Sequence, residues 1–188
     1  MFPLSHMVLG CGATWAGQRL LGHLQGDSSA TETPRHAVDP TDYRLVAVGA
    51  MLPDVVDKPL GIYLLRKQLR NGRIYGHTLL LSLGLVVAGS LLTGRWRHRL
   101  RSLGLGVGTH LVADDVMSTP RTLFWPLGGL RFPQDRRLEG WGWKMVRRYY
   151  SDPQTVISEG LSALAVLAAG GHLLHRRRLV SFLLSGRL

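Results

Sequence analysis

Apolar residues in this chain fall in long runs or recur at helical spacing. Nowhere do they alternate with the period of two that marks a half-buried strand. The pattern predicts an all-α bundle of five or more helices. Ser5 is placed to cap a first helix from His6 to about Leu21, carrying Met7, Val8, Leu9, Ala13, Trp15, Ala16 and Leu20. Gly26 to Asp39 is polar and turn-rich and reads as a surface loop. A second helix starts near Asp39-Pro40-Thr41-Asp42, carries Leu45, Val46, Val48, Ala50, Met51 and Leu52, and is expected to end at Pro53. Tyr63 to Arg70 is a short amphipathic piece.

Leu79 to Thr93 carries no charge and is closed by Arg95, Arg97, His98, Arg99 and Arg101. It is shorter than the roughly 20 residues a span needs, which leaves a short span, a dipping hairpin or a buried helix. Leu103 to Met117 is the next helix, stopped before Pro120. Arg121 to Asp135 reads as an irregular loop, and Arg136 to Tyr150 mixes aromatic with basic residues, as suits a headgroup layer. Asp152-Pro153 opens a final apolar helix reaching about Leu174 and closed by His175-Arg176-Arg177-Arg178. Membrane association is expected through Leu79–Thr93 and Val156–Leu174.

Composition narrows the class. The chain has 188 residues, enough for one domain with its own core, 1–188. Its single cysteine, Cys11, excludes a disulfide framework, so any metal site must use histidines and carboxylates. No basic segment precedes the first apolar stretch, so no cleavable signal peptide is expected. The net charge of +11 rests almost wholly on arginine, since Lys58, Lys67 and Lys144 are the only lysines. Arginine forks match phosphate oxygens, which points to an anionic partner. A mean hydropathy of +0.07 is high for so basic a chain. Charge alone leaves membrane lipids, a phosphate-bearing substrate and nucleic acid open as that partner, and the hydropathy favours a membrane-associated protein over a simple nucleic-acid binder.

Candidate chemistry sits at the helix ends. His110 and Asp114 lie one turn apart, about 40° around a helix axis, and can grip one divalent cation. A buried histidine hydrogen-bonded to a carboxylate is the other reading of that pair. Asp54 leaves an apolar helix at its C-terminus, where a bare anion is disfavoured; it is either a turn cap or a charge awaiting a cation. His77 stands at the lip of the uncharged run and His6 in the first turn of the chain's first helix. Glu159 is the one charge in a long apolar helix, which makes it a candidate completing ligand. Asp115 is turned about 100° from Asp114 and is expected either to support a ligand from behind or to be structural.

Ser5-His6, Gly49-Ala50-Met51-Leu52-Pro53-Asp54, Arg73 with His77-Thr78, and Thr109-His110 through Asp114 to Ser118-Thr119-Pro120 with Phe124-Trp125-Pro126 occur in one order. This set resembles the YdjM-type family of inner-membrane-associated, metal-dependent hydrolases, over roughly residues 1–130. It is also similar to the helical core of zinc-dependent phospholipase C and of single-strand-specific zinc nucleases. The resemblance implies His6, Asp54, His77, His110 and Asp114 as metal ligands in a phospholipase-C-like bundle at a bacterial or archaeal inner membrane. It implies one or two divalent ions, zinc ahead of manganese, and a metal-bound hydroxide attacking an ester or phosphoester. Asp54 or Asp114 would bridge the ions, and Arg73 or Arg121 would neutralise developing phosphate charge. The chain departs from the family where Val56, Asp57 and Lys58 replace a second Asp and a His, and where Gly72 replaces a His. Two other classes stay open: a non-catalytic membrane or regulatory protein braced by its His/Asp cluster, and a basic nucleic-acid-binding helical domain.

Overall fold

The computed structural model describes residues 3–24, 41–134 and 141–187. Among them the helices are α1 Pro3–Leu24, α2 Tyr43–Lys58, α3 Leu79–Leu91, α4 Arg95–Ala113, α5 Pro120–Leu123, α6 Trp141–Ser151, α7 Pro153–His175 and α8 Leu179–Ser185, and there is no strand. A π-helical turn, Pro59–Leu64, extends α2, and a 3-10 turn, Val116–Ser118, follows α4. The predicted all-α class is therefore what the chain adopts. The surface loop expected at 26–39 and the basic pair Arg136 and Arg137 lie outside the described residues.

Several boundaries differ from the sequence expectation. Pro53 lies inside α2 rather than ending it. Its ring removes the N–H that would have met the Gly49 carbonyl and crowds that carbonyl, yet the helix continues to Lys58. The arginine run 95–101 forms the opening turns of α4, which starts well before Leu103. Arginine is a good helix former, so the run continues a helix as readily as it closes one. Ser5 does not cap α1, because the helix already includes Pro3 and Leu4. Asp42 caps α2 by accepting from the Arg44 N–H at 3.1 Å, and Thr78 caps α3 by accepting from Leu81 at 3.2 Å.

α4 packs against α2, α3 and α1, with α7 on the outside of α1. The α2–α4 crossing depends on two glycines. A Cβ on Gly106 would sit 2.2 Å from the Val46 carbonyl, and one on Gly49 would sit 2.2 Å from the Leu103 carbonyl. Both obstacles are backbone, so neither can swing aside. Gly106→Ala should therefore force the two helices apart and cost about 1–3 kcal/mol or more. Gly84→Ala, where a Cβ meets nothing within 4 Å, should cost nothing and gain a few tenths. Thermal unfolding of both variants in detergent checks this; equal midpoints would mean the crossing is not tight.

The chain's direction places its chemistry at one end of the bundle. Asp54 is near the end of α2, His110 near the end of α4, His77 just before α3 and His6 near the start of α1. α7 starts at the same end, since Glu159 in its second turn touches Leu4 and Ser5. Among the described residues, α7 alone is long and apolar enough to cross a membrane, and only 11% of its apolar window is buried. At 23 residues it spans about 34 Å, enough for a hydrocarbon core of about 30 Å. A core helix of a soluble protein would be covered. α3, with 13 residues, reaches only about 20 Å. It lays Ser82 and Gly89 against α4 and leaves Leu80, Leu83, Val87 and Leu91 outside. It is thus too short for a straight span and too exposed for a core helix.

Candidate metal centre

Asp57, fully buried in the last turn of α2, organises the site. Its carboxylate accepts from the Ile74 N–H at 2.7 Å, the Gly76 N–H at 2.8 Å, the His77 N–H at 3.1 Å and His77 Nδ1 at 2.8 Å. The irregular segment before α3 has few backbone partners of its own, and one carboxylate supplies them. Gly76 makes the approach possible, because a Cβ there would meet the Pro53 Cα at 2.8 Å. The sequence reading did not single out Asp57 as functional. The available signal was its position three residues after Asp54, on the same face of one helix.

The second histidine is fixed in the same way. His110 Nδ1 lies 2.7 Å from the Ala50 carbonyl. A carbonyl only accepts, so Nδ1 carries the proton and Nε2 is left with a bare lone pair. Asp57 imposes the same tautomer on His77. The two Nε2 atoms then face each other at 3.2 Å. Two lone pairs at that distance repel unless a cation or a proton stands between them.

Carboxylates complete the arrangement. Asp54 Oδ1 is 3.6 Å from His77 Nε2 and 4.0 Å from His110 Nε2, while Asp114 Oδ2 is 3.9 Å from His77 Nε2. One ligand atom from each of Asp54, His77, His110 and Asp114 lies within 4.8 Å of the others. Asp114 stands one residue past α4 with its N–H on the His110 carbonyl, so the one-turn spacing persists although the helix ends at Ala113. His6 borders the group. Its ring stacks on His110 at 4.2 Å, and its Nε2 is 3.3 Å from Asp114 Oδ1 without hydrogen-bond alignment.

Electrostatics follow from this crowding. Burial opposes charge on Asp54, yet His77 and Lys58 outweigh it and hold the carboxyl down to about 2. Burial likewise opposes charge on Asp114, but His6 and Arg73 keep it well below the usual carboxylate range. Burial, with His6 alongside, pushes His110 down to about 4, so that ring is neutral. Burial also works against a proton on His77, but Asp54 and Asp57 raise it above its ordinary value. The group thus draws positive charge to the space His77 shares with the carboxylates.

A proton on His77 would relieve the imidazole pair and favour the Asp54 carboxylate beside it, but it would leave His6 as it is. Asp54 Oδ1 and both ring nitrogens of His6 remain buried without a hydrogen-bond partner. Orphaned buried groups of this kind are costly, and a divalent ion would meet them. Nitrogen and carboxylate donors suit zinc or manganese. The residues present therefore fit a metal.

Two cations attend the group. Arg73 reaches Asp114 Oδ2 at 2.9 Å, and Lys58 pairs with Asp54. Glu159, expected as a completing ligand, stands elsewhere. It accepts from the Leu4 N–H at 3.3 Å, the Ser5 N–H at 3.0 Å and the Ser5 hydroxyl at 2.5 Å. Its charge satisfies the open N–H groups of α1, one residue from His6, and so anchors that helix to α7. Asp115, expected to be supporting or structural, takes a left-handed turn conformation at φ 50°, and its carbonyl accepts from Ser118.

Helices gathered around a buried His/Asp group, beside a long apolar helix left uncovered, describe an all-helical protein with one helix that could cross a membrane and a group that could hold a metal ion. Over residues 1–182 the chain matches the family described as YdjM inner membrane protein, and it belongs to that family. No curated protein and no solved structure matches it.

Proposed function

We propose that this chain is a metal-dependent hydrolase of a bacterial or archaeal inner membrane, acting on an ester or phosphoester. The observation that carries this is the pair of imidazole Nε2 atoms 3.2 Å apart, set among carboxylates kept anionic at neutral pH. Asp54, His77, His110 and Asp114 would hold one divalent ion, zinc ahead of manganese, and His6 with Asp114 offers donors toward a second. A bound ion of this kind supplies Lewis acidity toward a phosphoryl or carbonyl oxygen and acidifies water.

The chain's own residues do the rest. Asp57 and the Ala50 carbonyl lock both imidazoles in the tautomer that presents Nε2. Arg73, part exposed and held by Asp114, sets a guanidinium at the rim, where it would bind a substrate phosphate and offset charge that develops there. A purely bracing role would need only the Nδ1 contacts and leaves His6 and Asp54 Oδ1 unexplained.

The test uses protein purified in detergent, stripped with chelator and reloaded with zinc or manganese. Chromogenic phosphodiesters, phosphomonoesters and carboxyl esters should reveal hydrolysis that returns with metal and is lost in His77→Ala. If metal restores hydrolysis of no ester class, the hydrolase reading falls.

A further inference from the structure

The loop after α5 is tied to the metal group at its base yet exposes leucine at its tip. Trp125 packs edge-on against Tyr75 at 5.3 Å and stacks on Phe132 at 5.5 Å, and Tyr75 meets Phe132 at 5.0 Å. Asn71 donates to the Pro133 carbonyl at 2.7 Å. These contacts fasten both sides of the loop to the segment that carries Arg73 and His77. Between them Leu127 is 89% exposed, Leu130 is 78% exposed, and Phe124 is also outside. Three large apolar side chains exposed on one fastened loop offer a contact surface.

A second apolar face stands at the same end of the bundle. α6 is joined to α7 by Asp152 alone. Trp143, Val146 and Tyr150 recur at i, i+3 and i+7 and are all exposed, with Lys144 and Arg147 beside them. Such a helix, with aromatic and aliphatic residues on one stripe and cations next to it, lies in a bilayer interface. Arg121 and Arg131 flank the leucine loop in the same manner, and both are exposed. Cations around apolar tips complement anionic headgroups. α7 fixes the depth, because its first turns, near the metal group, are where an uncovered span would enter the bilayer.

We propose that the Phe124–Leu130 loop and the exposed stripe of α6 sit in the headgroup layer of the bilayer that α7 crosses, and that the substrate is an amphiphile of that bilayer presenting a phosphoester to Arg73 and the His/Asp group. The substrate half rests on the hydrolase reading above; the placement of the loop does not. A soluble phosphoester would have no use for apolar residues on the rim. A bilayer-resident one is brought to the site by the surface that holds its chains.

The experiment uses the full chain with Cys11→Ser, a fluorophore on Leu127→Cys, and vesicles containing phosphatidylglycerol. A nitroxide on the lipid headgroup region should quench the label far more than an aqueous nitroxide does. The reverse order overturns the placement. In the unlabelled chain, quenching of tryptophan by brominated lipid should fall in Trp143→Phe; no change counts against α6. For the substrate, long-chain phosphoester in vesicles is compared with a short-chain soluble ester of the same headgroup. Leu127→Asp should lower the ratio of the two rates about tenfold, since interfacial binding scales with buried apolar area. An unchanged ratio overturns the substrate class. Hydrolysis of neither ester would remove the hydrolase reading while the quenching result still decides where the loop lies.

Discussion

Asp57→Ala is expected to destabilise the protein by about 3–5 kcal/mol and to abolish metal binding, although Asp57 touches no ion site directly. The carboxylate has no exposure and accepts four hydrogen bonds. Its removal strands three backbone N–H groups and the Nδ1–H of His77, each costing about 1–3 kcal/mol if it stays buried and unpaired. Part of that cost is relieved as the 73–77 segment loosens and meets water, which is why the sum is not simply additive. The same loosening releases Arg73 and His77 from their positions. Asp57→Asn should be nearly as damaging to metal affinity, about 10–100-fold, because an amide nitrogen facing donors cannot accept from them. Chemical unfolding in detergent, read with and without zinc, checks both variants. A metal-dependent stabilisation as large in Asp57→Ala as in wild type would show that Asp57 does not hold His77.

Much of this architecture was legible because helical periodicity is local. The apolar runs, the Asp152-Pro153 start of α7 and the one-turn spacing of His110 and Asp114 are set within a few residues of sequence. The convergence of Asp54, His77, His110 and Asp114 was expected from helix ends and from the family resemblance, and the structure brings those four together. His6 proved closer to the group than a first-turn residue implies, since it stacks on His110.

What was not legible depends on contacts between distant segments. Glu159 stood out as a lone charge in an apolar helix, but its partner is the start of α1, more than 150 residues away. Charge bookkeeping found the residue and could not find the donors. Asp57 escaped for a similar reason: three of its four partners are backbone N–H groups, which have no sequence signature. Pro53 misled because a proline usually ends a helix, whereas here the following turns of α2 hold Asp57 against the segment before α3. The exposed leucines of the loop after α5 lie within an irregular stretch, where composition says nothing about which side chains face outward.

Asp114→Asn is the second large effect and the most direct test of the metal centre. Asn keeps the shape of the side chain and removes the anion that His6, Arg73 and the His77–His110 pair surround. It should lose bound metal and any hydrolysis together. Asp115→Asn, at the next position, lies outside the group and should keep both. The decisive measurement is the metal content of purified wild type, Asp114→Asn and Asp115→Asn, each folded with zinc or manganese present and then washed free of excess ion. About one or two ions in wild type and in Asp115→Asn, with little in Asp114→Asn, is the expected result. Equal metal in all three, or none in wild type, would contradict a metal centre and leave these residues as braces between helices.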